Sequence, residues 1–76
     1  MNNKILKIIT DEYDAAVAKH PCFAGSRMHA VSLITEELGE LAQAINDNDI
    51  YNAITEAAHV AVTAIRMMTA LREGEL

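Results

Sequence analysis

The stretch from Ile34 to His59 reads ITEELGELAQAINDNDIYNAITEAAH and decides the fold. Apolar residues recur every three or four positions on both sides of Asn46–Asp49, a run of four polar residues that favour turns. The pattern predicts two antiparallel helices joined by a short turn. Asn48 or Asp49 is expected to cap the helix that follows the turn.

A further helix is predicted before this hairpin. Residues 4–19 carry apolar side chains at helical spacing, and Asn2 or Asn3 can cap the start. The segment 20–26 then breaks the pattern, because it contains a proline and a flexible glycine. Three helices are therefore expected: the first over Lys4–Lys19, the second from a start within Ser26–Met28 to about Ile45, and the third from Ile50 to about Arg72.

The apolar faces predict how these helices pack. The second helix has a heptad-like stripe that we expect to form its core face, made of Val31, Ile34, Leu38, Leu41 and Ile45. The third helix is apolar over about half its circumference, which indicates burial on two sides, as at a subunit interface. A 76-residue chain buries only about 60% of its unfolded surface, so a lone core is marginal. We therefore expect one all-α domain, residues 1–76, that forms a short antiparallel helical bundle completed by oligomerisation.

Composition argues against several functional classes. The net charge is −5, and an acidic domain repels a phosphate backbone, which disfavours nucleic-acid binding. Asp11 and Glu12 end the first apolar run well short of a signal-peptide core, and no stretch approaches the roughly 20 apolar residues of a membrane span. Cys22 is the only cysteine, which is typical of a reducing compartment. We therefore expect a cytoplasmic protein without nucleic-acid or membrane partners.

Acidic residues concentrate along one edge of the hairpin. Glu37 and Glu40 lie one turn apart on the second helix, and Glu56 and His59 lie one turn apart on the third. Counted from the turn near Asn48, Glu40 lies opposite Glu56 and Glu37 lies opposite His59. Carboxylates this close repel one another unless a cation lies between them, although a single glutamate on a helix is usually only a solvated side chain. Oxygen-rich sites suit Mg²⁺ or Mn²⁺, and the histidine raises the chance of Mn²⁺, iron or Zn²⁺.

The two motifs resemble those of a known enzyme family. Glu37-x-x-Glu40 and Glu56-x-x-His59 are similar to the ExxE and ExxD pair of the MazG-like, all-α nucleoside triphosphate pyrophosphohydrolases. The resemblance covers roughly residues 26–68, and residues 34–45 are the most similar part.

The resemblance implies a helical homodimer or homotetramer that binds Mg²⁺, with Mn²⁺ as a substitute. Its substrate would be a nucleoside or deoxynucleoside triphosphate, hydrolysed to the monophosphate and pyrophosphate. It also implies that Glu37 and Glu40 are catalytic, that Glu37, Glu40 and Glu56 are metal ligands, and that Glu36 can assist. The hairpin register adds His59 to the expected metal ligands. His59 stands where the family has aspartate, which is expected to weaken Mg²⁺ binding because imidazole offers one neutral nitrogen in place of two anionic oxygens.

Two alternatives use the same residues. The first is a non-catalytic module that binds a nucleotide or a protein through a metal site that His59 has impaired. The second is a carboxylate-histidine di-metal protein of the ferritin-like kind, since Glu56-x-x-His59 is also the ExxH motif of di-iron bundles. A zinc site from His20, Cys22 and His29 lacks a fourth ligand and does not match structural zinc patterns. Arg66 could contact a phosphate or form an ordinary salt bridge.

Overall fold

Three α-helices make up the computed structural model, which describes residues 1–76. They are α1 (Asn3–Lys19), α2 (Arg27–Asn46) and α3 (Ile50–Arg72), and the chain contains no strand. The predicted all-α bundle of three helices is therefore confirmed, with bounds within one or two residues of those expected. None of the three helices combines the length and the apolar character needed to cross a membrane.

The turn between α2 and α3 explains why the two helices are antiparallel neighbours. Asn48 adopts a left-handed conformation with φ of 56°, which asparagine tolerates better than most residues. Its main-chain N–H donates to the carbonyl of Ile45, and that of Asp49 donates to the carbonyl of Ala44. The side chain of Asp49 then accepts a hydrogen bond from the main-chain N–H of Asn52, which caps α3. The turn thus ends one helix and starts the next within three residues.

The central helix is α3. It packs along α2 and also against α1, whereas α1 and α2 do not pack against each other. Two helices of the same chain therefore cover part of the wide apolar face of α3. This arrangement leaves a groove between α1 and α2 above α3, and Glu37 and His59 of the hairpin border that groove together with Glu12 of α1.

The core consists almost entirely of small side chains. The buried residues are Ala30, Ala44, Ala53, Ala58, Val62 and Ala70. The expected core face of α2 is wrong for three of its five members, because Val31, Leu38 and Ile45 are 41%, 54% and 56% exposed. The buried alanines of α2, Ala30 and Ala44, directly precede Val31 and Ile45. The face of α2 that meets α3 is therefore rotated by about 100° from the stripe of large residues. Alanine faces allow two helices to approach closely, and the larger side chains then remain outside.

A single arginine of α3 holds the end of α1 and the loop that follows it. Arg66 donates hydrogen bonds to the main-chain carbonyls of Ala16, at 3.4 Å, and His20, at 2.6 Å. Its guanidinium also lies 5.2 Å from the centre of the Phe23 ring, within the range of a cation–π contact. The carbonyl of Ala16 also accepts from the main-chain N–H of His20, so Arg66 adds a second donor there and supplies a donor to the carbonyl of His20 just beyond the helix. Arg66 thereby ties the loop beside the groove to α3.

Candidate metal centre

Four side chains from the hairpin meet at one point. Glu37 and Glu40 of α2 and Glu56 and His59 of α3 each offer one ligand atom, and all four atoms lie within 4.8 Å of one another. A single cation bound at about 2.0 to 2.4 Å holds its most distant ligand atoms about 4.0 to 4.8 Å apart. The four atoms are therefore already close to the spacing that one bound ion requires.

The antiparallel turn brings these four side chains together. His59 Nδ1 lies 3.6 Å from the nearer oxygen of Glu37 on the facing helix, the pair that counting from the turn places opposite each other. The same nitrogen lies 3.4 Å from an oxygen of Glu56, one turn earlier on α3. Glu56 is the most enclosed of these side chains, with 14% of its surface exposed. The structure thus brings together all four residues that the hairpin register selects.

A fifth residue, which the sequence did not indicate, reaches the cluster from α1. Glu12 places one oxygen 2.8 Å from Nε2 of His59, across 47 residues of chain. No spacing rule links the two positions, because the path of α1 depends on the loop between α1 and α2. The other ring nitrogen of His59 faces Glu37 and Glu56, so the imidazole lies between Glu12 and the cluster.

The charge on Glu37 is not fully compensated. Burial raises the pKa of this carboxyl above its ordinary value, and the neighbouring Glu40 raises it further, while His59 acts in the opposite direction. One oxygen of Glu37, Oε2, is buried and has no hydrogen-bond partner. A buried carboxylate oxygen without a donor is costly, and a cation held between the carboxylates would supply the missing partner.

The histidine responds to the same surroundings. Burial alone would lower the pKa of His59, but the contacts with Glu12 and then Glu56 outweigh burial and raise it. The imidazolium is thus favoured by its carboxylate neighbours. The donor set of three carboxylates and one imidazole fits a divalent metal ion of the Mg²⁺ or first-row transition type.

Two adjoining clefts open beside the cluster. The larger has a volume of about 480 Å³ and the smaller about 310 Å³, and both include Glu37 in their walls. Volumes of this order are typical of sites for small molecules. The larger cleft is also lined by Phe23, Arg66 and the exposed Glu36, and the smaller by Lys19, Glu12 and His59. Aromatic, basic and candidate metal-binding groups therefore line two clefts that share Glu37.

The remaining candidates from the sequence lie apart from the cluster. His29 uses Nδ1 to accept a hydrogen bond from the main-chain N–H of Gly25, so its ring supports the start of α2. Cys22 is exposed, and it forms no metal-ligand group with His20 and His29. Glu36 lies on the cleft wall outside the four-residue cluster. Arg66 makes no salt bridge and instead binds main-chain carbonyls.

A scan of the chain against protein-family models finds no match, and comparison with curated proteins and with solved structures finds none either.

Proposed function

We propose that this protein is a metal-dependent nucleoside triphosphate pyrophosphohydrolase that uses Mg²⁺ or Mn²⁺. The observation that carries the proposal is the meeting of Glu37, Glu40, Glu56 and His59 within 4.8 Å at the edge of a cleft. The resemblance of the two motifs to the MazG-like pattern supplies the reaction class. The cleft supplies room for a substrate beside the cluster.

The four clustered residues would act as ligands of the cation. A bound divalent ion neutralises charge that develops on a phosphate and lowers the pKa of a bound water molecule. Water would add to the α-phosphorus as the bond to the β-phosphate oxygen breaks, which yields the monophosphate and pyrophosphate. Glu37 and Glu40 would hold the cation at the border between the cluster and the cleft.

Basic and aromatic groups of the cleft would bind the rest of the substrate. Arg66 has five N–H donors and uses two in the bonds to α1, so others are free to meet a phosphate oxygen. Lys19 lines the smaller cleft beside Glu37 and provides a second positive charge. The ring of Phe23 lines the larger cleft, where it offers a flat apolar surface for a base.

Product analysis tests the proposed reaction. Purified protein is incubated with a panel of ribo- and deoxynucleoside triphosphates in Mg²⁺ and, separately, in Mn²⁺, and the products are separated. Release of monophosphate and pyrophosphate in equal amounts supports the proposal. Nucleotide binding without turnover in either metal would favour the non-catalytic module, and an iron-dependent near-ultraviolet or visible band would favour the di-metal protein.

We also propose that the chain assembles as a homodimer, which is either the complete assembly or the unit from which a tetramer forms. The chain exposes 5490 Å², whereas a compact monomer of this mass exposes about 4,600 Å². The excess of about 900 Å² is close to the roughly 800 Å² that each partner contributes to a standard protein interface. A second copy of the chain would account for this excess.

The apolar surface for that contact lies on α2 and α3. On α3 a regular alternation of four- and three-residue steps, typical of helix–helix packing, joins Ile50, Ile54, Ala57, Ala61, Ala64, Met68 and Leu71. On α2, Val31, Leu38 and Ile45 follow at seven-residue spacing and are exposed. Leu38 lies two residues from Glu40, and Ala61 lies two residues from His59, a separation of about 160° around each helix. Leu38 is also about 100° around α2 from Glu37, so the proposed contact lies on a different face of each helix from the metal cluster.

A further inference from the structure

The two ring nitrogens of His59 face different neighbours, and one of them contacts Glu12. Nε2 lies 2.8 Å from the Glu12 carboxylate on α1. Nδ1 faces the hairpin, at 3.4 Å from Glu56 and 3.6 Å from Glu37. Glu12 lies outside the four-residue cluster, so it contacts the histidine from the side opposite the carboxylates.

The chemistry of these groups decides which nitrogen can bind a metal. An ionised carboxylate can only accept hydrogen bonds, so in the metal-free protein both ring nitrogens of His59 face acceptors, and the imidazolium donates to both. A cation held between Glu37 and Glu56 would displace the proton from Nδ1, the nitrogen that faces them, and would leave the Nε2–H directed to Glu12. Histidines that bind metals usually donate the other ring N–H to a carboxylate in this way, which fixes the tautomer and makes the ligating nitrogen more basic.

We propose that Glu12 is a positioning residue that holds His59 with Nδ1 as the metal-ligating nitrogen. This inference rests on the proposed metal centre, which it deepens. His59 and Glu12 then form a carboxylate–histidine pair between α3 and α1. In this pair His59 is a metal ligand in its own right, and not a weaker replacement for aspartate. The pair selects the class of cation, because imidazole suits Mn²⁺, Fe²⁺, Co²⁺ and Zn²⁺, whereas Mg²⁺ prefers oxygen ligands.

The test compares metal binding in the wild-type protein with that in Glu12→Gln, which removes the negative charge and keeps the size of the side chain. Asp14→Asn is the matched control, since Asp14 is an exposed carboxylate on the same helix outside the cluster and the clefts. Mn²⁺ affinity is measured by electron paramagnetic resonance. The nitrogen that binds the metal is identified with Zn²⁺, a diamagnetic probe, from the ¹⁵N chemical shifts of the labelled histidines.

The expected result has three parts. Zn²⁺ shifts the Nδ1 resonance of His59 while Nε2 keeps its proton. Glu12→Gln lowers Mn²⁺ affinity by about 10- to 100-fold, the usual effect of losing a carboxylate behind a ligating histidine, and Asp14→Asn leaves the affinity near that of the wild type. Circular dichroism of each variant establishes that the helices remain folded.

A second variant keeps the inference testable if Glu12→Gln also perturbs packing. His59→Asp removes the imidazole, so we expect a shift of preference from Mn²⁺ toward Mg²⁺ and no further loss when Glu12→Gln is added to it. Zn²⁺ bound through Nε2, or equal Mn²⁺ affinities in wild type and Glu12→Gln, would overturn the inference and leave the metal centre standing. Absence of any Mn²⁺ or Zn²⁺ binding by the wild-type protein would overturn the metal centre itself.

Discussion

Arg66 donates a hydrogen bond of 2.6 Å from Nη2 to the main-chain carbonyl of His20, which joins the middle of α3 to the residue that ends α1. The same guanidinium reaches the carbonyl of Ala16 and lies over the ring of Phe23. One side chain therefore ties both the end of α1 and the loop that follows it to α3. Because Arg66 and Phe23 both line the larger cleft, this contact also shapes the proposed substrate site.

Replacing this arginine is expected to destabilise the protein. Arg66→Met removes two hydrogen bonds from a charged donor and the contact with Phe23, and it takes the side-chain donor away from the carbonyl of His20. The expected loss is about 2 to 4 kcal/mol in the free energy of unfolding, measured by urea denaturation. Arg66→Lys keeps the charge but cannot form both bonds, so an intermediate loss is expected.

The matched control is Arg72→Met, since Arg72 is an exposed arginine in the last turn of the same helix. We expect this change to cost no more than about 0.5 kcal/mol. Equal effects of Arg66→Met and Arg72→Met would show that the contacts with α1 do not contribute to stability.

The cluster is expected to make the stability of the metal-free protein fall as pH rises. The folded-state pKa of Glu37 is raised above 4.5 and that of His59 above 6.5, so both groups bind protons more tightly in the folded than in the unfolded chain. Their contribution to stability is complete below those ordinary values and is lost as pH rises through the folded-state values. The melting temperature should therefore decrease between about pH 5 and pH 8.

Saturating Mn²⁺ should reverse this slope, because the metal competes with the same protons and binds more tightly as pH rises. The measurement is a series of thermal melts with and without Mn²⁺, run for the wild type and for Glu37→Gln. The assignment of raised pKa values would be contradicted if, without metal, the melting temperature of the wild type rose with pH relative to that of Glu37→Gln.

Helix bounds and the hairpin register could be predicted from the sequence. The four polar residues at 46–49 require a turn, and a short turn leaves only one way for Glu37 and His59 to face each other. Local signals were sufficient in this part of the chain, because each cap and turn depends on residues within a few positions.

The position of α1 and the packing face of α2 could not be predicted in the same way. The loop from His20 to Ser26 leaves the direction of α1 open, so nothing in the sequence pointed to Glu12 beside His59. Hydrophobicity also does not say which of two adjacent apolar faces packs inside the chain. Here α3 meets the alanines of α2, while Leu38 and its neighbours along the helix remain exposed.

The proposed dimer predicts a specific effect of charge on the exposed apolar surface. Sedimentation equilibrium should give twice the 8.3 kDa mass of the chain for the wild type. Leu38→Glu or Met68→Glu places a charge in the contact and should shift the mass toward that of one chain; where some dimer remains, the melting temperature should fall as the protein is diluted. Mn²⁺ binding should persist in any variant that stays folded, because Leu38 and Met68 lie outside the cluster.

Leu6→Glu is the control for this experiment. Leu6 is a large apolar residue of similar exposure, 49%, that lies on α1 outside the proposed contact. Its replacement should leave the mass unchanged. A wild-type protein that sediments as a single chain at all concentrations would contradict the dimer.

The central claim is that the four clustered side chains form one metal centre, and Mn²⁺ titration followed by electron paramagnetic resonance tests it most directly. The wild-type protein and Asp14→Asn should each bind one Mn²⁺ per chain, and Glu37→Gln should lose at least about ten-fold in affinity because a buried anionic ligand becomes neutral. Glu37 is the informative position, since its buried oxygen is the one without a partner. Equal affinities for Mn²⁺ in all three proteins, or no binding by the wild type, would contradict the claim.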